Sequence, residues 1–96
     1  MKLYVLVRAD LTPSQRAVQA GHAVAEFLLK HPTTEWRNGI LVYLRTRDEE
    51  ELLDWLDTFC YHGHHHAFFR EEDMGDQVTA AAALGVDTLV KELPLL

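Results

Sequence analysis

The sequence has a single cysteine, no long hydrophobic run and fewer basic than acidic residues. Cys60 cannot form a disulfide within the chain, so packing alone is expected to stabilise the fold. No apolar stretch approaches the length that a bilayer requires, and the opening residues lack the apolar run and cleavage site of a signal peptide. We therefore expect a cytoplasmic protein without a membrane partner.

The charge balance narrows the classes of partner. Nine Lys and Arg against 15 Asp and Glu give a net charge of −6. Sequence-independent binding to nucleic acid draws most of its strength from phosphate neutralisation, so DNA is not an expected partner, although a small basic site is compatible with this charge. The 96 residues, 48% of them hydrophobic, are enough for one globular domain, residues 1–96.

Hydrophobic patterns predict alternating strands and helices. Three short apolar runs are typical of buried strands: residues 2–8, 40–44 and 67–69. Thr12 is a favourable N-cap for a first helix, with Pro13 at its first position and Gln15 completing a capping box, and this helix should end near Lys30. Acids at positions 48–51 begin a second helix, whose apolar face consists of Leu52, Trp55, Leu56 and Phe59.

The C-terminal third is less regular. The alanines within residues 78–84 favour a helix, whereas their flanking context suits a strand, and the pattern leaves both open. Residues 87–93 are expected to form a last short helix that Pro94 ends. The element order β-α-β-α-β-(β)-α requires crossover connections, which predict an α/β domain with a largely parallel sheet and helices on its faces.

Three arginines follow predicted strands and are candidates for binding an anion: Arg8, Arg45 and Arg70. The carboxyl ends of parallel strands meet at one edge of a sheet, and the first helix begins beside that edge. Arginine side chains and free helix amides both favour phosphate. Pairing with the abundant acidic residues explains the same arginines equally well.

A polar stripe follows the first helix and consists of Gln15, Gln19, His22 and Glu26. At about 100° per residue, these four side chains fall within an arc of roughly 60°. A solvated helix face would have the same spacing. Glutamine and histidine in place of the usual Lys and Glu favour a functional face.

Residues 73–76, Asp-Met-Gly-Asp, follow the third predicted strand and should lie at the same edge of the sheet as the arginines. A carboxylate at this place could orient or deprotonate a water molecule. Asp and Gly are also common turn formers, and spacing alone favours an acidic turn.

A cluster of histidines precedes the third strand: His62, His64, His65 and His66. Alternating histidines of one strand, at positions 62, 64 and 66, would supply three nitrogen ligands to zinc or nickel. The spacing matches no standard metal motif, and the cluster lies at the far end of the sheet from the arginines. Adventitious metal binding is favoured over a functional site, and neither a metal nor another cofactor is expected.

Three segments, taken together, resemble the type II peptidyl-tRNA hydrolase family, the archaeal and eukaryotic type. They are KLYVLVRADL at residues 2–11, AVQAGHA at residues 17–23 and Asp-Met-Gly at residues 73–75. The family's helix pattern is lysine, three residues, glutamine, two residues and His-Ala, and its later loop is Asp-x-Gly followed by threonine. The resemblance covers nearly the whole chain and implies a four-stranded mixed sheet, in which residues 78–84 form a strand.

The resemblance implies catalytic roles for four residues: Asp73, Gln19, His22 and Thr79. Asp73 would orient or activate water, Gln19 would position the substrate and His22 would assist or support Gln19. It also implies a substrate-binding set, in which the arginines hold 3′-terminal phosphates: Arg8, Gln15, Arg16, Arg70 and Gly75. The family's lysine corresponds to Gln15, and Thr79 is a loose counterpart of the family's threonine because the loop after Gly75 is short.

The implied function is hydrolysis of the ester between a peptide and the 3′ ribose of tRNA, carried out by a homodimer. The missing lysine, the short loop and the net charge of −6 favour an alternative. In that alternative the chain is a non-catalytic member of the fold that binds an RNA end, a nucleotide or a protein. A hydrolase of weakened activity is the leading expectation.

Overall fold

A computed structural model describes residues 1–96 and contains four strands and three helices. In chain order they are β1 (Leu3–Arg8), α1 (Pro13–Lys30), β2 (Leu41–Thr46), α2 (Glu49–Tyr61), β3 (His66–Glu71), β4 (Gln77–Leu84) and α3 (Asp87–Val90). One 3-10 turn, Glu72–Met74, joins β3 to β4. The strands form a single sheet in the order β2-β1-β4-β3. No helix has the length and hydrophobicity that a membrane-spanning segment requires.

The sheet is mixed and four-stranded, as expected, but the prediction that it is mostly parallel is wrong. Only β1 and β2 pair in parallel, whereas β4 pairs antiparallel with both β1 and β3. The link between β3 and β4 is too short for a crossover, because the turn Glu72–Met74 and left-handed Gly75 and Asp76 reverse the chain at once. β1, β2 and β3 still run in one direction, so their carboxyl ends share one edge.

The helices cover opposite faces of this sheet. α1 packs on one face, where Val5, Val7 and Phe27 belong to one hydrophobic core. α2 packs on the other face, where Leu6 and Phe59 belong to a second core. Both faces of β1 are therefore buried, which agrees with its continuous apolar sequence.

β4 is a strand despite its four alanines. Ala80 and Ala82 contact the core beneath α1, and Ala81 and Ala83 contact the core beneath α2. Small side chains on both faces let the two helices approach the sheet, so tertiary packing overrides the helix propensity of alanine. The strand that the resemblance implied for residues 78–84 is confirmed.

The start of α1 is confirmed in detail. The Thr12 hydroxyl accepts a hydrogen bond from the Gln15 amide at 3.3 Å, and the Gln15 side-chain oxygen accepts one from the Thr12 amide at 2.9 Å. Pro13 occupies the first turn, and the helix ends at Lys30. This capping box fixes the helix end that lies nearest the carboxyl edge of the sheet.

Arg8, at the end of β1, joins three segments at that edge. Its side chain is buried, and it forms a bidentate ion pair with Asp10 at 2.9 and 2.8 Å. It also donates to the Gln77 side-chain oxygen at 2.9 Å and to the Val78 carbonyl at 3.2 Å. Arg8 thus fixes the beginning of β4 against β1.

The pH dependence of stability tests this ion pair through Asp10→Asn. The hydrogen bond from Arg8 holds the pKa of Asp10 below its ordinary value, against the opposing effect of burial. The carboxylate therefore stabilises the fold above the unfolded-state value of about 4, and the contribution is lost as the pH falls through the lower folded-state value. We expect wild type to exceed Asp10→Asn by about 1 kcal/mol in free energy of unfolding at neutral pH, with the difference closing in acid.

Urea denaturation across the acid range measures this difference. Asp54→Asn, an exposed carboxylate on α2, is the matched control and should leave the profile unchanged. A deficit in Asp10→Asn that is the same at every pH would contradict the role given to the ion pair.

Candidate active site

Three of the predicted site residues line one cleft at the carboxyl edge of the sheet. The cleft has a volume of about 340 Å³ and lies between the first turns of α1 and the turn after β3. Its predicted members are Gln15, Gln19 and Asp73. The other lining residues are Ser14, Val18, Glu71 and Met74.

Gln19 is the centre of a polar network beneath this cleft. Its side chain is buried at 3% exposure, and its carbonyl oxygen accepts a hydrogen bond of 2.6 Å from the Thr79 hydroxyl. Its amide nitrogen donates to a Glu71 carboxylate oxygen at 2.8 Å. Because an ionised carboxylate only accepts hydrogen bonds, Glu71 fixes which end of the Gln19 amide faces it. The structure therefore brings together two predicted residues, Gln19 and Thr79, through a buried hydrogen bond.

An irregularity in β4 directs Thr79 to this place. Phe69 of β3 pairs with Ala80, but the next residue, Arg70, pairs with Val78, so Thr79 has no partner across the ladder. Ala80 already faces α1, and regular alternation would turn Thr79 towards α2. The bulge places Thr79 on the α1 face as well, within reach of Gln19.

Side chains from α2 and β1 satisfy the backbone at the bulge. The Val78 amide donates to a Glu49 carboxylate oxygen of α2 at 2.7 Å. The Val78 carbonyl accepts from Arg8 of β1 at 3.2 Å. The β1–β4 ladder ends at Val7 and Ala80, so these two bonds satisfy the Val78 backbone beyond it, and α2 and β1 hold the strand next to the bulge that positions Thr79.

Sequence reasoning did not include Glu71 among the site residues. Ala67, Phe69 and Glu71 alternate along β3 on the face that α1 covers. A strand extended to residue 71 would have placed Glu71 opposite the polar stripe of α1. The predicted strand ended at Phe69, two residues before Glu71, and so it did not include Glu71 in the alternation.

Asp73 differs from Glu71 in being exposed. It lies in the turn Glu72–Met74, and Gly75 ends that turn with a φ of 65°, a conformation that glycine adopts without strain. No hydrogen bond to another side chain or ion pair engages Asp73, so its carboxylate is open to water in the cleft. Gly75 therefore affects the position of Asp73 through its backbone conformation, because it ends the turn that contains Asp73.

Gln15 and His22 lie on either side of Gln19 along the helix. The Gln15 oxygen is occupied by the capping box, which leaves its amide N–H groups for the cleft. His22 is outside the cleft lining, where its ring stacks on Phe69 with centroids 4.1 Å apart and an interplanar angle of 6°. The polar stripe of α1 thus faces β3, and His22 packs beside Gln19 and makes no hydrogen bond to it.

The arginines do not line this cleft. Arg16 donates to the carbonyls of Leu11 and Ala9 at 3.0 and 2.6 Å, which holds the loop after β1. Arg70 is exposed, lies over the Phe68 ring at 5.5 Å and donates to the Asp76 carbonyl at 3.1 Å. The guanidinium groups of Arg8, Arg16 and Arg70 are thus engaged within the chain.

Arg45 is exposed and borders a separate cleft together with Arg47. The ends of β1, β2 and β3 do meet at one edge, as predicted. Arg8, Arg45 and Arg70 do not form one anion site there. The seven residues that line the Gln19 cleft include two acids and no Lys, Arg or His.

The histidine cluster does not form the alternating set considered above. β3 begins only at His66, so His62 and His64 lie in the turn and loop before it. No group of three His, Cys, Asp or Glu side chains is placed to hold a metal ion. The cluster does lie at the opposite end of the sheet from the cleft, as the element order predicted.

Comparison with protein-family models and with curated proteins gives no match for this chain. The likeness to type II peptidyl-tRNA hydrolases stays a prediction that rests on the residues quoted above.

Thr79→Val tests whether the hydroxyl holds the Gln19 amide. Valine has nearly the shape of threonine but leaves the buried Gln19 oxygen without a donor, which should cost about 1–3 kcal/mol in free energy of unfolding. Thr79→Ser keeps the hydroxyl and should retain most of the stability. Urea denaturation measures both, and equal losses in the two variants would show that packing, and not the hydrogen bond, is the contribution of Thr79.

Proposed function

We propose that the chain is a peptidyl-tRNA hydrolase-like esterase that acts in the cleft beside Gln19. The observation that carries the proposal is the meeting of Gln19, Asp73 and Thr79, which come from α1, the turn after β3 and β4. The resemblance had selected these residues without knowledge of their distances. Gln19 and Asp73 line the cleft, and Thr79 holds Gln19 from beneath it. Residues far apart in the chain that meet at one cleft are more easily explained by a common site than by separate surface roles.

The chemistry assigns a different task to each carboxylate. Asp73, exposed and unpaired, accepts a proton from a water molecule while the water oxygen forms a bond to the ester carbonyl carbon. The bond from that carbon to the ribose oxygen then breaks, and the tRNA leaves as an alcohol after taking up a proton. Glu71 is engaged with Gln19 and orients its amide, so Gln19 serves as a positioning group.

The charge of the cleft favours a second candidate, a binding module without turnover. Gln15 stands where the family has a lysine, and its oxygen is used in the capping box. No basic side chain lines the cleft. A developing negative charge on the ester oxygen would then have only neutral donors, such as the Gln15 amide, near it. Slow hydrolysis or simple binding both fit this feature, and turnover separates them.

Release of tRNA from N-acetylated aminoacyl-tRNA tests the proposal. The wild-type chain should complete many turnovers, and Asp73→Asn should reduce the rate by about 10²–10⁴-fold because it removes the base. Glu72→Gln is the matched control, since it alters a carboxylate of the same turn that does not line the cleft. Addition of a chelator should leave the rate unchanged.

Two results would contradict the hydrolase. Absence of turnover from folded wild-type protein, with saturable binding of the same tRNA, would establish the binding module in its place. Equal turnover in Asp73→Asn and Glu72→Gln would remove Asp73 from the mechanism. The homodimer that the resemblance implies is a separate proposal, which light scattering on the purified chain tests.

A further inference from the structure

A second pocket lies at the opposite end of α1 and has no part in the proposed hydrolysis. Its volume is about 420 Å³, within the range of small-ligand sites. One wall is formed by the end of α1 and the residues after it, and the other by the loop before β3. Since α1 has 18 residues at about 1.5 Å each, roughly 27 Å separate its two ends.

Basic groups outnumber acids around this second pocket. Lys30, His31, His64 and His65 line it, against the single carboxylate of Glu35. A cation in the last turn of α1 interacts favourably with the helix dipole, which explains Lys30 but not His64 and His65, because these belong to another segment.

The imidazoles in this pocket are ordered by contacts of their own. The His31 and His65 rings stack with centroids 4.6 Å apart and an interplanar angle of 10°. His31 Nε2 lies 3.0 Å from the His66 carbonyl, which can only accept, so this nitrogen carries the proton. Parallel rings do not direct their nitrogens at a common metal ion.

We propose that this pocket binds phosphate groups. A phosphate accepts hydrogen bonds from imidazole N–H groups and a charge-assisted one from the Lys30 ammonium, which is stronger than a bond between neutral groups. The Thr33 hydroxyl, also in the lining, supplies a neutral donor. The site is independent of the hydrolysis proposed above, because it needs neither Asp73 nor Gln19.

Titration of the full chain with inorganic pyrophosphate tests the site. The measurement is the shift of backbone amide NMR signals at constant pH and ionic strength. We expect saturable shifts at Thr33, His64 and neighbouring amides. Lys30→Gln and His65→Gln should each weaken binding about tenfold, the effect of losing one hydrogen-bonding group. Lys91→Gln and His62→Gln, two exposed residues outside the pocket, should bind like wild type.

The outcomes separate a built site from general charge attraction. Equal weakening in all four variants, or shifts that do not saturate, would overturn the proposal. A short single-stranded RNA in a parallel titration distinguishes the source of the phosphate. If Lys30→Gln weakens the binding of RNA, the ligand is a backbone phosphate. If Lys30→Gln weakens the binding of pyrophosphate but not that of RNA, the ligand is a free phosphate compound. Neither result depends on whether the cleft hydrolyses an ester.

Discussion

The buried amide of Gln19 depends on a single displaced residue in β4. At the bulge, Thr79 and Ala80 face α1 in succession, and only this arrangement brings the Thr79 hydroxyl to within 2.6 Å of the Gln19 oxygen. The β1–β4 ladder ends at Ala80, and Glu49 and Arg8 supply partners for the Val78 backbone on the other side of the bulge. The site residues therefore rest on a distortion that α2 and β1 jointly maintain.

This arrangement divides the polar groups of the edge into fixed and free ones. Gln19 bonds to both Thr79 and Glu71, and Arg8 and Arg16 bond to other groups of the chain. The groups left for an incoming molecule include the Asp73 carboxylate, the Gln15 amide N–H groups and the Ser14 hydroxyl, which all border the cleft. In the proposed reaction, the fixed residues would position the substrate and the exposed Asp73 carboxylate would act as the base.

Local patterns predicted the elements well, because each is encoded within a few residues. The Thr12 capping box, the apolar face of α2 and the buried β1 all depend on neighbours in sequence. The direction of β4 depends on a five-residue link and on which strand it joins, so the parallel sheet inferred from element order was wrong.

The site shows the same division. Spacing on α1 grouped Gln15 with Gln19, and the loop after β3 placed Asp73 near them. The engagement of Arg8 with Asp10 and Val78, and the bulge at Thr79, arise from contacts between distant segments. Periodicity of two cannot reveal a bulge, since a bulge is a break in that periodicity.

A double-mutant cycle between Glu49→Ala and Thr79→Val tests most directly whether the bulge positions the site. The two side chains share no hydrogen bond, and Val78, which bonds to Glu49, is the residue next to Thr79 in the chain. If Glu49 holds the bulge that directs Thr79 to Gln19, the losses in free energy of unfolding will be non-additive by about 0.5–3 kcal/mol. Additive losses would contradict the account, because Thr79 would then reach Gln19 whether or not Glu49 holds the strand.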